Sequence, residues 1–250
     1  MNEKSQEIEL LNQIIRDTSH KELVLLSEDS STAKALGVTI DQKTISDSYF
    51  LKDKGFVYTR TESPFFYSVY RIYLEKDKPI REYILKKKDE NAPFETKEYA
   101  TTEYIQKYGK LPRASYTLDS VEQNGILYEI LDEKSVTAIQ REGNIFHLHI
   151  NPKKIGPYLY RSIRNHGPFD SDPEFRLLEI DLHIRDGILC SIQKTMDYQI
   201  KWGFIKLNIH STDKTDIHIV HNQKILLQGK ERTIKIPEDK EDYSPIPREE

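Results

Sequence analysis

Strand periodicity constrains this chain more than any other feature. Phe56-Val57-Tyr58, residues 66–74 (FYSVYRIYL) and residues 81–85 (REYIL) are dense in aromatic and β-branched side chains, and Ser63-Pro64 and Lys76-Asp77-Lys78-Pro79 break them apart. Such side chains pack well on a pleated surface, so a meander of antiparallel strands is expected. The same period returns at residues 126–131, 136–140 and 145–150, separated by Asp132-Glu133-Lys134 and Glu142-Gly143-Asn144. The plainest hairpin covers residues 176–192, because both arms alternate around Asp186-Gly187, a dipeptide that tolerates positive φ. Residues 202–210 and 216–220 read as strands on either side of a polar break at 211–214. Residues 224–227 are expected to pair with 233–236 through Gly229.

Helical spacing is confined to short stretches. Ile8, Leu11, Ile14 and Ile15 form one apolar stripe on an amphipathic N-terminal helix that must dock on its own domain or on a partner. Residues 95–108 read as an inserted helix, with Ala100, Tyr104 and Tyr108 in line, and residues 153–164 read as a second one opening at Pro157. The fold class is therefore α+β: a mainly antiparallel sheet, arranged as a meander, sandwich or partly open barrel, with an N-terminal helix and one or two inserted helices. Residues 1–32 are read as the helix plus a Ser/Thr-rich linker at 27–32. Residues 33–236 are read as one β-rich domain whose two sub-blocks meet near 165–175, and 237–250 as an acidic, proline-rich tail, solvated or docking on a partner.

Composition removes several function classes. Lys+Arg 37 against Asp+Glu 41 gives a net charge of −4, which argues against holding a polyanion by bulk charge and makes nucleic acid an unfavoured partner. One cysteine, Cys190, cannot close an intramolecular disulfide. The first residues show no secretory leader, and no apolar run is long enough to span a bilayer, so a cytoplasmic protein with no membrane partner is expected. Ten glycines in 250 residues include no phosphate-cradling loop, which removes dinucleotide-binding and P-loop readings.

Two constellations carry chemistry. Phe146-His147-Leu148-His149-Ile150 alternates so that both imidazoles leave one face of a strand, about 6.6 Å apart. Asp181 and His183 on one strand, and His210 on another, share that alternation. If these strands are neighbours, His147, His149, Asp181, His183 and His210 supply the donor set of a divalent ion such as zinc, and with it a metal-dependent hydrolase. The second constellation is aromatic: Tyr67, Tyr73 and Tyr83 with Arg71, near Lys86-Lys87-Lys88, form a stacking platform for single-stranded nucleic acid or a glycan. With no catalytic motif in the chain, the first expectation is a non-enzymatic binding or assembly protein without a cofactor. It would meet a protein partner through the N-terminal helix or the C-terminal tail.

Overall fold

A computed structural model describes residues 3–85, 93–108, 133–154, 163, 169–238 and 243–248. The chain is α+β and mainly antiparallel, as its periodicity predicts. Helix α1 (Glu3–Ser19) leads into β1 (Leu23–Ala35), β2 (Val38–Phe50), β3 (Lys54–Glu62), β4 (Tyr67–Glu75), β5 (Ile80–Leu85) and β6 (Glu95–Tyr99), which form one meander. After α2 (Thr101–Tyr108) come β7 (Val136–Glu142), β8 (Ile145–Ile150), β9 (Glu174–Arg185), β10 (Ile188–Trp202) and β11 (Ile205–Ile219), a second meander. β11 pairs with β1, and the result is a single open sheet of 11 strands in the order β6-β5-β4-β3-β2-β1-β11-β10-β9-β8-β7. A separate ribbon of β12 (Lys224–Leu227) and β13 (Lys230–Thr233) follows.

Alternation decides what each face buries. On β9, Leu178, Ile180 and Leu182 are buried, whereas Glu179, Asp181 and His183 on the other face are only half-buried. The apolar side joins Phe146, Leu148, Leu189 and Ile192 beneath Ile8, Leu11 and Ile15 of α1, so the helix stripe is covered by its own sheet. Thr18 fixes the end of α1: its Oγ1 donates to the Ile14 carbonyl at 2.8 Å and accepts from the Leu189 N–H at 3.0 Å. On the same sheet face at the far end, α2 packs Tyr104 over Val57, Ile72 and Leu74. The opposite face of the first meander carries a third cluster, in which Tyr49, Phe56, Tyr58 and Tyr73 lie beneath Ile225, Leu227, Ile234 and Ile246.

The hairpin at residues 176–192 turns where expected, with Asp186 at φ 52° and Gly187 at φ 74°. Four expectations are corrected. Residues 27–32 are not a linker but the middle of β1, because their hydroxyls pair across strands: Ser27 and Thr215 lie 2.8 Å apart, and Ser211 donates to Asp29 at 2.6 Å. Residues 211–214 are likewise no break; β11 runs through them, hydrogen-bonded to β1 and β10. Trp202 ends β10 instead of opening a strand, and a turn at Gly203-Phe204 makes another hairpin. Residues 95–108 divide into β6 and α2, since residues 95–99 pair with the edge of β5 before the helix begins. Gly229 turns the last hairpin as expected, although its second arm is β13 and not residues 233–236. The strand expected at 126–131 lies outside the described residues. So does most of the helix expected at 153–164, where Pro152–Lys154 forms a 3-10 turn.

The solvated tail is also corrected. Asp47 on β2 is 0% exposed, and its partners come from residues 243–248. Tyr243 Oη and the Ile246 N–H both donate to Asp47 Oδ2, and Arg248 Nη2 lies 2.6 Å from Oδ1. Arg248 also donates to the Ser27 and Ser46 carbonyls, and Tyr243 packs on Phe56 and Tyr58. A tail rich in acids and prolines still docks here because a buried carboxylate needs a cation and donors.

Two outcomes follow. Arg248→Ala leaves Asp47 buried without its cation, a loss of about 3–5 kcal/mol. At about 2–4 °C per kcal/mol for a chain of this size, the melting temperature should fall by roughly 10 °C. Removing residues 243–250 should do at least as much; a calorimetric shift under about 2 °C for either change would refute the docking. Burial also pushes the phenols of Tyr49 and Tyr198 up to about 12. Because the folded state holds them neutral, the stability they contribute is complete below pH about 10 and is lost as pH rises toward about 12. Burial and the Asp47 carboxylate push the Tyr243 phenol up as well, so absorbance of tyrosinate against pH should show Tyr49, Tyr198 and Tyr243 titrating last among the described tyrosines, together with the onset of alkaline unfolding.

Candidate functional site

On the face of β7–β10 turned away from α1, the pleat lines up a polar surface. Register pairs His147 with Asp181 and His149 with Glu179 across β8 and β9, and continues to Gln193 and Thr195 on β10. Paired residues of an antiparallel ladder share a face, so these side chains meet by construction. His147 Nδ1 donates to Asp181 Oδ1 at 2.7 Å, and His149 Nδ1 lies 3.0 Å from Glu179 Oε1. Glu142 on β7 brings Oε2 to 3.9 Å from His147 Nε2. Together with Gln140 these side chains line an open groove of about 360 Å³.

The five residues expected to share an ion thus divide. His147, His149 and Asp181 come together. His183 is on the same face but one pair further along the ladder, opposite Ile145 and Ser191. His210 is on β11, where its Nδ1 donates to Asp197 Oδ1 at 2.7 Å. His210 lies two strands and four residues from Asp181, well over 10 Å at about 4.8 Å per strand and 3.3 Å per residue. Among the described residues, no group of three or more His, Cys, Asp and Glu is placed to hold one metal ion. What the groove does hold is two imidazoles, each with Nδ1 beside a carboxylate on the next strand, and Glu142 facing the Nε2 of His147. Glu179 and Glu142 belong to it too; Glu179 was readable as part of the polar alternation of β9, whereas Glu142 is visible only once β7 is known to lie beside β8.

The aromatic platform has a different fate. Tyr73 is 4% exposed, its ring taken up by Phe56 at 5.0 Å and by Tyr83 at 5.5 Å. Arg71 is buried with its guanidinium 4.9 Å from the Phe94 ring. Tyr67 and Tyr83 are half-buried against the same cluster. Tyr67, Tyr73 and Tyr83 therefore pack into the cluster beneath the C-terminal segment, whereas Phe65 and Phe66 of the β3–β4 turn are exposed. Lys86, Lys87 and Lys88 lie outside the described residues.

A second polar grouping, not anticipated from the sequence, crosses the middle of the sheet on the α1 face. There Lys194 and Asp213 lie 2.7 Å apart beside Asp29, Ser211, Ser27 and Thr215. Burial pushes the Asp29 carboxyl up against the opposing pull of its bond from Ser211. The signal was the alternation Ser27, Asp29, Ser31, hidden because such residues also read as loop. Cys190 is half-buried: burial pushes its thiol up, and it donates to the His183 carbonyl.

No family model matches the chain, and none of the curated proteins matches it. Among solved structures, the ywiB protein from Bacillus subtilis aligns with 78% of this chain and 92% of its own, at 9% identity and a TM-score of 0.22. A DUF1329 family protein from Desulfovibrio piger aligns with 87% of this chain and 92% of its own, at 8% identity and a TM-score of 0.29. The dehydratase domain from the CurF module of curacin polyketide synthase aligns at 7% identity and a TM-score of 0.17, over 88% of this chain and 84% of its own. Likeness at these scores carries no argument about fold or function.

The groove pairs are half-exposed, so each contributes about 0–1 kcal/mol. Asp181→Ala should therefore move the melting temperature by no more than about 4 °C, far less than Arg248→Ala. A calorimetric loss as large as that of Arg248→Ala would mean the pair is part of the scaffold and not a surface kept for a ligand.

Proposed function

We propose that this chain is a non-enzymatic, cytoplasmic binding protein that receives a positively charged group of a protein partner in the groove over β7–β10. The observation that supports this reading is the parallel pair His147–Asp181 and His149–Glu179. His147 spends its Nδ1–H on Asp181, and His149 Nδ1 lies 3.0 Å from Glu179, so the oxygens that remain, with those of Glu142, are acceptors that a donor can meet. Three carboxylates against two imidazoles attract a cation, and charge-assisted bonds from a lysine or arginine head are the strongest such a surface makes. The lone thiol is consistent with a reducing compartment. The surfaces that the sequence offered to a partner, the α1 stripe and the tail, are engaged within the chain.

A second reading has one observation in its favour. A carboxylate bonded to Nδ1, as Asp181 is to His147, is the way metal-ligating histidines are held, and Glu142 lies beside the Nε2 that remains. Under that reading the groove takes a divalent cation and is the starting point of a hydrolase.

Calorimetric titration separates the two. A lysine-rich peptide should bind the intact chain, weaken with salt, and bind at least about tenfold more weakly to the Glu179→Gln/Asp181→Asn variant, since charged hydrogen bonds contribute about 1.5–3 kcal/mol each. A glutamate-rich peptide should not bind. Equal binding of both peptides would sink the first reading, and stoichiometric zinc uptake lost on His147→Ala would install the second.

A further inference from the structure

Two hairpins turn side by side at one end of the sheet, and both carry apolar side chains into solvent. β1–β2 turns at Leu36-Gly37 and β10–β11 at Gly203-Phe204. Register sets Lys34 opposite both Thr39 and Asn208, which brings the two tips to within a few residues of the same level on adjoining strand pairs. Leu36 is 84% exposed and Phe204 97%, with Val38 and Trp202 also exposed. The exposed Phe65 and Phe66 of the β3–β4 turn sit about five ladder positions further back and are not part of this end, since β3 reaches only Lys43.

Three local costs concentrate here. Leu36 adopts φ 51°, a left-handed conformation that suits Asn or Gly at this turn position and is unfavourable for a bulky apolar side chain. Lys201 stands directly opposite Lys206, a like-charge pair that destabilises a ladder. Phe204 leaves almost its whole ring in water. Acids near the turns are already engaged: Asp170 accepts the Gly203 N–H, and Asp41 accepts the Thr32 hydroxyl. By register, exposed Lys34, Lys201 and Lys206 lie just behind the apolar tips, on one face of the ladder.

We propose that these two tips seat the protein on an anionic lipid surface, with Leu36, Val38, Trp202 and Phe204 entering the interfacial layer and Lys34, Lys201 and Lys206 facing the headgroups. Apolar side chains on convex, separated points fit a yielding surface better than the concave pocket that a protein anchor requires. Trp at the junction of the apolar tip and the lysines has the amphipathic character that places that ring at a membrane boundary. Among the described residues no helix is long and apolar enough to cross a membrane, and this seat needs none.

Trp202 is the only tryptophan of the chain, so its emission reports the seat directly. With mixed phosphatidylcholine–phosphatidylglycerol vesicles the emission should move to the blue and the protein should sediment with the vesicles. Affinity should fall about fivefold for each lysine replaced by glutamine, and should fall with added salt. Phe204→Ser should weaken binding tenfold or more. Leu36→Asn should weaken it as well while leaving the melting temperature equal or higher, because asparagine accepts the turn conformation; this outcome separates the seat from the fold. Failure to sediment with these vesicles would overturn the proposal, as would a blue shift that grows with protein concentration in their absence, which would assign the tips to a second copy of the chain.

Discussion

The pairing of β1 with β11 holds the two meanders together. Twelve residue pairs, from Leu23 opposite Ile219 to Lys34 opposite Asn208, join segments almost two hundred residues apart in sequence. Every other neighbour in the sheet is also the neighbour in sequence within its meander. Without this contact the apolar face under α1 would lose Leu23, Leu25 and Ile217, and the opposite face would lose Val24 and Leu26. Loop closure over such a distance must precede the reward of the contact, so the central pair is the slow element of folding.

Because the sheet is open, its edges matter as much as its centre. β6 is five residues long and reads Glu-Thr-Lys-Glu-Tyr; β7 carries Arg141 and Glu142 and a register shift between Val136 and Ala138. Short length, charge and a bulge discourage strand addition from another chain. The area between them is divided: α1 and α2 cover the two ends of one face, the ribbon of β12 and β13 packs on the first meander from the other, and the His–carboxylate groove is open among the described residues on the second meander.

Alternation made the fold class and the polarity of each strand legible, as with Leu178, Ile180 and Leu182 against Glu179, Asp181 and His183. It also placed His147 and His149 on one face. It did not reveal which carboxylates they meet, because that depends on strand order, a property of pairing across distance. Ser27 to Thr32 misled for a related reason: hydroxyl and acid side chains favour turns locally, and only a partner strand converts them into ladder residues. Asp47 and Arg248 each read as a solvated charge, and neither signals the other across the chain. Trp202-Gly203-Phe204 hid a hairpin because its tip is apolar where turn chemistry predicts polar residues.

The contact between Asp47 and the C-terminal segment sets an order of events during synthesis. Asp47 leaves the ribosome early, while the Ile246 N–H that bonds it follows 199 residues later. At about 5–20 residues per second, that carboxylate must wait roughly 10–40 s for its donors. During the wait β2 cannot bury Asp47 without leaving it unpaired, so the aromatic cluster of Tyr49, Phe56 and Tyr58 stays uncovered in the nascent chain. The first meander is thus made before it has anything to close over it, which makes it a natural client for holding chaperones until residues 243–248 emerge.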